Sequence, residues 1–287
     1  MRLVFLGTPP AAVPPLRALV DAGHDVALVV TRADKRRGRG AELTPSAVKA
    51  AATELGLPVS HRADDTLSTG AELGVVVAFG QLIKPHVLAE VPMVNLHFSL
   101  LPRWRGAAPV ERAILAGDDE TGVCVMDVEE GLDTGGIYAL ERVRIHPHET
   151  ADELRARLVA IGTPLLLEVL ARPGGIGEPM PQQGEPTYAA KLTPEELELD
   201  WSKLAEQLAR LPRVGKAWTT FRGRRLLVAQ ARAVPGHGEP GVIEGVTVWA
   251  GSGGLELVRV QPEGKPVVDA AAWRNGARPR PGERLGG

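Results

Sequence analysis

Short apolar runs alternate with helical patterns through the first 170 residues, and this alternation constrains the fold more than any other feature of the chain. Strands are predicted over residues 3–6, 26–30, 75–78, 94–97 and 122–128. Helices are predicted between them, with Gly23, Gly56 and Gly117 as stop signals. A β-α-β-α order of this kind favours a mainly parallel sheet covered by helices.

Two of the predicted helices have recognisable starts. Thr44 is predicted to cap one helix with Pro45 at its first position, where a proline is tolerated because the N–H is not needed. Thr150 and Glu153 have the spacing of a capping box, which predicts a helix from there to about residue 170.

The chain changes character after residue 172. Residues 172–186 are rich in proline and glycine, which predicts the start of a surface linker. Short strands between glycine-rich turns are predicted over residues 226–229, 241–243, 246–249 and 255–260, a spacing typical of a small barrel. Residues 277–287 are predicted to be mobile. We expect a first domain over residues 1–186, a linker over 187–202 and a C-terminal barrel over 203–287.

Composition narrows the class of protein. With 287 residues, 44% of them hydrophobic, the chain can bury a sizeable core, and a net charge of −2 leaves nucleic-acid affinity to local basic clusters. Cys124 is the only cysteine, which excludes an internal disulfide and favours a reducing compartment. No stretch resembles a signal peptide or approaches the roughly 18 uncharged residues of a spanning helix, so a cytoplasmic protein is expected.

Asn95 and His97 form the first candidate site. Residues two apart on a strand face the same side, so both side chains project together at the carboxyl end of a predicted parallel strand, where open α/β sheets bind ligands. An amide and an imidazole suit an oxygen that becomes negative during a reaction. The alternative is that His97 is a hydrogen-bonded strand-end residue without a catalytic role.

Asp133 is the second candidate. It lies in a loop bracketed by Gly131, Gly135 and Gly136, where a ligand could approach closely, and it could orient a histidine or accept a proton. An Asx-type turn is the alternative. Cys124 and Ser99 lack the context of a nucleophile, which favours direct attack of an external amine on a carbonyl carbon.

Basic clusters point to a polyanion. Five basic residues lie between Arg32 and Arg39, after a strand, and eight lie between Lys203 and Arg232. Such runs are usually solvated surface, yet the presence of two makes a nucleic-acid-binding surface plausible. His146 and His148 lack the further ligands of a metal site, so no metal is expected.

These segments together resemble the methionyl-tRNA formyltransferase family over nearly the whole chain. The matching stretches are FLGTPP, TRADKRRGRG, TPSAVK, VVVAFGQLI, NLHFSLLPRWRGAAP and GLDTGG. The resemblance implies a Rossmann-like formyltransferase domain, a linker and a C-terminal open β-barrel. It further implies 10-formyltetrahydrofolate as the formyl donor, initiator methionyl-tRNA as the acceptor, no metal and a monomer.

The resemblance also implies roles for individual residues. Asn95, His97 and Asp133 would be catalytic. The donor would be lined by the following residues: Phe79, Gly80, Leu82, Ile83, Ser99, Leu100, Leu101 and Pro102. Initiator tRNA would be bound by Lys35, Arg36, Arg37 and Arg39.

Three alternatives remain open at this point. A formyltransferase that acts on glycinamide ribonucleotide or an amino sugar would keep the trio, and so would a folate-using deformylase. Neither has a reason for the basic loop or a basic second domain. A non-catalytic RNA-binding protein on the same scaffold would be expected to lose at least one of Asn95, His97 and Asp133, and all three are present.

Overall fold

The computed structural model describes residues 1–37 and 42–286. The chain divides into two compact units. The first contains Met1–Val110, Glu120–Arg144 and Arg155–Ala190, and the second contains Glu111–Asp119, Ile145–Leu154 and Lys191–Gly287. The second unit resumes at Lys191, which lies within the predicted linker. The domain limits 1–186, 187–202 and 203–287 stay a prediction.

The first unit is built on a seven-stranded, mainly parallel sheet. Its strands are β1 (Arg2–Gly7), β2 (Asp25–Val30), β5 (Val59–Ser60), β6 (Leu73–Val77), β7 (Met93–His97), β9 (Glu120–Asp127) and β10 (Ile137–Arg144). Their order is β10-β9-β7-β6-β1-β2-β5, and only β9 and β10 run antiparallel to their neighbours. Two small pairs accompany the sheet: β3 (Lys35–Arg37) with β4 (Glu42–Thr44), and β8 (Arg105–Gly106) with β11 (Tyr188–Ala189).

Five α-helices lie within the described residues up to Leu170. They are α1 (Val13–Asp21), α2 (Ala47–Glu54), α3 (Pro85–Glu90), α4 (Pro109–Ala116) and α5 (Ala151–Leu170). The capping box before α5 is confirmed: the Glu153 carboxylate accepts from the Thr150 N–H at 2.8 Å, and the Glu153 N–H donates to the Thr150 hydroxyl at 3.3 Å. Within the described part of the chain, no helix is long and apolar enough to cross a membrane.

The predicted cap of α2 is wrong by two residues. Ser46 is the N-cap, and its hydroxyl accepts from the Lys49 N–H at 3.0 Å. Thr44 instead ends the strand β4. The error arises because Thr-Pro-Ser offers two capping hydroxyls in three residues, and the pairing of Thr44 with Lys35 takes the first of them into a hairpin.

The second unit is an antiparallel sheet with short helices. Its elements are α6 (Ala205–Arg210), β12 (Trp218–Phe221), β13 (Arg224–Val234), β14 (Ile243–Glu244), β15 (Thr247–Trp249), β16 (Gly254–Pro262), β17 (Val268–Asp269) and α7 (Ala270–Ala277). The strand path β12-β13-β16-β15-β14 is open, with β17 on β16. Arg222 and Gly223 both have positive φ (52° and 69°), the conformation of a two-residue hairpin turn. The predicted fold class is confirmed.

The described part of the C-terminal segment, residues 277–286, is packed against the second unit, whereas the sequence predicted a mobile tail. Leu285 is buried to 3% exposure within the core of the second unit, and the Gly286 N–H donates to the Thr220 carbonyl at 3.0 Å. Glu283 forms an ion pair with Arg222. Composition misled here because the contacts of Leu285, Gly286 and Glu283 depend on tertiary structure, which local composition does not reveal.

Candidate active site

The carboxyl ends of β1, β6 and β7 meet at one edge of the first unit's sheet, because the three strands are parallel neighbours. Asn95 and His97 lie in the last three residues of β7. Leu96, which points the other way, is 1% exposed. The strand therefore buries one side in the core and presents an amide and an imidazole on the other, as the sequence predicted.

His97 is almost completely buried, at 5% exposure. Its Nε2 lies 3.1 Å from the backbone carbonyl oxygen of Trp104. A carbonyl only accepts, so Nε2 carries a proton and donates to it. The other ring nitrogen, Nδ1, lies 3.7 Å from Oδ2 of Asp133, which is beyond hydrogen-bonding distance but close for an ion pair.

Asp133 is held in an unusual backbone conformation. Its φ of 51° is in the left-handed region, which costs an ordinary residue about 1–3 kcal/mol. Its Oδ2 accepts a hydrogen bond from the Gly106 N–H at 2.7 Å. The loop around it, residues 131–136, is tightly folded: a Cβ on Gly135 would overlap the carbonyl oxygen of Asp127. Glycine is required there for close packing, and ligand approach need not be invoked.

Asn95 is half-buried and only weakly engaged. Its Nδ2 lies 4.0 Å from the sulfur of Met126, its cross-strand partner on β9. A thioether is a weak acceptor, so this amide keeps hydrogen-bonding capacity for a ligand. The structure thus brings Asn95, His97 and Asp133 to one strand end, while their catalytic roles stay a prediction.

The loop after β7 is packed inward. The Ser99 hydroxyl is fully buried and donates to the Arg103 carbonyl at 2.6 Å. Leu101 joins a buried apolar cluster with Cys124, Met126 and Ile137. Pro102 is buried and Leu100 half-buried. The serine and Leu101 side chains therefore stabilise the loop, and lining of a donor site by this stretch stays a prediction.

The loop after β6 has a mixed character. Phe79 and Ile83 are buried, at 5% and 7% exposure, in the apolar cluster that contains Val87. Gly80 has a φ of 72°, and Leu82 is 82% exposed. An exposed leucine beside a buried phenylalanine suits a pocket rim for a flat aromatic ring, and this placement too stays a prediction.

Cys124 is excluded as a nucleophile. Burial raises the pKa of its thiol to about 11, and the thiol donates to the Ser99 carbonyl at 3.0 Å. A thiol that remains protonated at neutral pH is a poor nucleophile. Buried in this way, Cys124 acts as a small apolar side chain of the core, in agreement with the sequence-based prediction that it lacks the context of a nucleophile.

The basic residues after β2 are only partly described. Lys35 is exposed in β3, which also contains Arg36 and Arg37. Arg39 lies outside the described residues. Asp34, the acid within this run, forms an ion pair with Lys49 at 2.7 Å. The prediction that Lys35, Arg36, Arg37 and Arg39 bind tRNA therefore stays a prediction.

Internal contacts occupy much of the basic stretch from Lys203 to Arg232. Arg210 donates to the carbonyls of Leu115 and Ala116, and Arg213 donates to the carbonyls of His146 and Glu149 at 3.1 and 2.9 Å. Two further arginines form bidentate pairs with carboxylates: Arg222 with Glu283 and Arg232 with Glu256. These four arginines stabilise the second unit.

The remaining charges of this stretch are more open. Lys216 and Arg224 are exposed, and the exposed guanidinium of Arg225 lies 4.3 Å from the centroid of the Trp218 ring. Lys203 lies 3.8 Å from Asp200. The basic surface is therefore smaller than the sequence count of eight indicated.

Sequence reasoning missed four residues that hold the site together. Trp104 and Gln182 form hydrogen bonds directly with His97 and Asp133, respectively. Arg105 bonds to Gln182, and Thr187 bonds to Trp104. The Trp104 N–H donates to the Thr187 hydroxyl at 2.9 Å, and Gln182 contacts the Asp133 loop, defined as residues 131–136. Gln182 and Thr187 lie in or just after the stretch interpreted as a linker, and no local pattern marked them.

Comparison with known proteins identifies the class. The formyl transferase family model matches residues 1–170, and the model of the formyl transferase C-terminal domain matches residues 191–278. The chain is therefore a formyl transferase, an enzyme that transfers a one-carbon group. This confirms the prediction of a formyl-transferring enzyme.

The particular family follows from a curated relative. The methionyl-tRNA formyltransferase of Methylobacterium sp. (strain 4-46) is 44% identical over an alignment of 308 positions, which covers 99% of each chain. The chain belongs to the methionyl-tRNA formyltransferase family, and the resemblance inferred from sequence is confirmed.

Solved structures agree on the fold. The methionyl-tRNA formyltransferase of Clostridium thermocellum matches with a TM-score of 0.62 and 16% identity, over 94% of this chain and 99% of that one. An N-formyltransferase of Helicobacter canadensis, in complex with folinic acid and dTDP-3-aminofucose, matches with a TM-score of 0.71 and 16% identity, over 91% and 98% of the two chains. At such identity these likenesses concern architecture only.

Proposed function

We propose that this enzyme transfers the formyl group of 10-formyltetrahydrofolate to the α-amine of methionyl-initiator tRNA in the cytoplasm, as a monomer. The observation that carries the proposal is the meeting of Asn95, His97 and Asp133 at one strand end in a chain of this family. The trio fits amine attack on a carbonyl, and no metal is invoked.

The reaction is a direct substitution at the formyl carbon. The α-amine attacks it, a tetrahedral oxyanion forms, and the bond from carbon to N10 of the folate then breaks. The amine loses one proton and N10 gains one, so tetrahydrofolate leaves neutral at that nitrogen. Donors aimed at such an oxyanion contribute about 10²- to 10³-fold each to the rate.

His97 and Asn95 are the proposed donors to that oxyanion. Because the Nε2 proton of His97 is held by the Trp104 carbonyl, its Nδ1 is the atom that faces the reaction. As an imidazolium the ring donates through both nitrogens at once. The weakly bound amide of Asn95 supplies the second donor.

Asp133 is the proposed base. Its Oδ2 is anchored by the Gly106 N–H and lies 3.7 Å from Nδ1 of His97, so this carboxylate is positioned to accept the proton of the attacking amine, directly or through water. In this mechanism His97 owes its orientation to burial and to the Trp104 carbonyl, with Asp133 in a supporting role.

The binding of the two substrates is assigned as follows. The donor is bound by the loops after β6 and β7: Phe79, Gly80, Leu82, Ile83, Ser99, Leu100, Leu101 and Pro102. The tRNA is bound by Lys35, Arg36, Arg37 and Arg39, helped by the exposed Lys216, Arg224 and Arg225. Cationic side chains attract the phosphate backbone of any RNA, so these residues contribute affinity.

The test is a transfer assay with 10-formyltetrahydrofolate and methionine-charged initiator tRNA, run beside free methionine, an amino-sugar nucleotide and a control without acceptor. Formylation of the charged tRNA alone is expected. Formyl loss in the control without formylated tRNA would identify a hydrolase, and formylation of the sugar amine would identify a different acceptor class.

A further inference from the structure

We propose that Gln182 is a positioning residue for this reaction: its side-chain amide fixes the backbone of the Asp133 loop and thereby the position of the Asp133 carboxylate. The proposal rests on the proposed function for the role of Asp133. Gln182 is half-buried and lies in the proline- and glycine-rich segment before β11.

All the main hydrogen-bonding groups of this amide are used. Its Nε2 donates to the carbonyl oxygens of Asp133 and Gly135, at 2.8 and 2.7 Å. Its Oε1 accepts from the Nε and a terminal nitrogen of Arg105, at 3.1 and 2.7 Å. An NH₂ group has two donors and a carboxamide oxygen two lone pairs, so the set is complete.

The contacts close a ring around Asp133. Arg105 begins β8, and the next residue, Gly106, donates its N–H to the Asp133 carboxylate. Gln182 therefore binds the main chain of Asp133 directly. Through Arg105 it also binds β8, and the Gly106 N–H of β8 binds the Asp133 side chain. The two anchors fix the carboxylate from opposite ends of one residue.

The strain at Asp133 explains why such an anchor is needed. A non-glycine residue with a φ of 51° persists only where its surroundings determine the conformation. The two hydrogen bonds from Gln182 to carbonyls of the same loop offset the cost of this conformation. Without them the loop is free to relax and to carry Asp133 away from His97.

Gln182 is itself well placed to act as an anchor. Two residues earlier, Met180 exchanges both backbone hydrogen bonds with Ile137, at 2.7 and 2.9 Å. Five residues later, the Thr187 hydroxyl accepts from the Trp104 N–H, and β11 then pairs with β8. The backbone is hydrogen-bonded on both sides of Gln182, so the Cα atom from which the side chain extends is held in place.

The experiment compares Gln182→Met and Gln182→Glu with a matched control, Gln183→Met. Methionine keeps the shape but loses every hydrogen bond, while glutamate keeps the acceptor for Arg105 and loses the donors to the loop. Gln183 is the exposed neighbour of the same type. Single-turnover rates are measured per folded molecule, with KM for both substrates and the thermal midpoint.

A misplacement of about 1 Å can cost 10²-fold in rate, so we expect both Gln182 variants to lose roughly 10- to 100-fold in kcat. KM values should change by less than about twofold, since Gln182 contacts neither substrate in the proposed mechanism. Gln183→Met should match the wild type. Wild-type kcat in both Gln182 variants would overturn the proposal.

A double-mutant cycle with Asp133→Asn separates positioning from general weakening of the fold. If Gln182 acts through the Asp133 carboxylate, Gln182→Met should cost less than about twofold in the Asp133→Asn background. An equal loss in both backgrounds would overturn the proposal. If the wild type releases formate and leaves tRNA unformylated, the proposed function fails. The double-mutant cycle can then be repeated with the rate of formate release as the readout, and it still tests the role of Gln182.

Discussion

Two regions differ in how well their structure could be predicted from sequence. They are the strand end with Asn95 and His97 and the basic stretch from Lys203 to Arg232. In the first region two side chains were predicted to project together from one face, and they do. In the second, eight charges were counted as one surface, and four of the arginines are bound to carbonyls or carboxylates of their own unit.

The difference lies in what the sequence encodes locally. Side-chain direction on a strand follows from backbone geometry, which alternates strictly and needs no knowledge of the rest of the fold. The partner of an arginine is set by tertiary structure, because a long side chain reaches across elements. Positive charge in a sequence is therefore a weaker guide to a binding surface than residue spacing is to a site.

Among the variants of these two regions, His97→Ala should have the largest effect, and that effect should be on turnover. Loss of the imidazole should lower kcat by about 10²- to 10³-fold, while tetrahydrofolate affinity, measured by calorimetry, should stay within about threefold. His86→Ala, which removes an exposed histidine paired with Asp64, is the matched control. Normal turnover in His97→Ala would return this residue to the role of a strand-end structural group.

The basic stretch can be divided experimentally with Arg213→Met and Arg224→Met. Arg213 is half-buried, and burial lowers the pKa of its guanidinium. Its removal leaves two carbonyls without their donor and should cost about 2–4 kcal/mol of unfolding free energy, measured by urea denaturation. tRNA affinity per folded molecule should change little.

Arg224→Met should show the opposite pattern. The side chain is exposed, and its loss should change stability by less than about 0.5 kcal/mol. Binding of tRNA should weaken, and the slope of log affinity against log salt should fall by about one unit. If Arg213→Met alone weakened binding without loss of stability, the division between structural and exposed charges would be wrong.

The smallest effect concerns the pair of Glu283 and Arg222. The hydrogen bonds from Arg222 lower the pKa of Glu283 to about 2, so the folded chain keeps this carboxylate ionised where the unfolded chain, at the ordinary 4.5, has protonated it. Its stabilisation is complete above pH 4.5 and is lost as the pH falls towards 2.

The measurement is the thermal midpoint of the wild type against Glu283→Gln across that range. The wild type should melt slightly higher at neutral pH, because exposed ion pairs contribute little, and the difference should vanish near pH 2. Glu263→Gln, at an exposed glutamate outside this ion pair, is the control. A difference that persists unchanged at pH 2 would mean that hydrogen bonding alone, without the charge, accounts for the contact.

Much of the first unit was predictable because its strands are continuous apolar runs. The strand β10 (Ile137–Arg144) was not predicted, since it lies at the sheet edge with four of its eight residues exposed and lacks an apolar run. This strand is defined by its antiparallel pairing with β9, which is a long-range contact that local sequence does not show.

The candidate catalytic residues could be predicted from the sequence, but the groups that hold them in position could not. Asp133 stood out because glycines flank it, but the carbonyl of Trp104 that holds His97 belongs to the backbone, which every residue has. Gln182 lies 49 residues from Asp133 in sequence, in a segment whose composition indicates a linker. Turn-rich composition describes local conformation and says nothing of the contacts that a fixed turn can make.

The buried thiol of Cys124 has a practical consequence for labelling. With a pKa of about 11, its thiolate fraction at neutral pH is roughly two orders of magnitude below that of an ordinary surface cysteine. Maleimide dyes or spin labels would therefore react selectively with an introduced cysteine while the native one stays in place. Gln183→Cys offers such a handle, because this exposed position lies next to Gln182, which is hydrogen-bonded to the Asp133 loop.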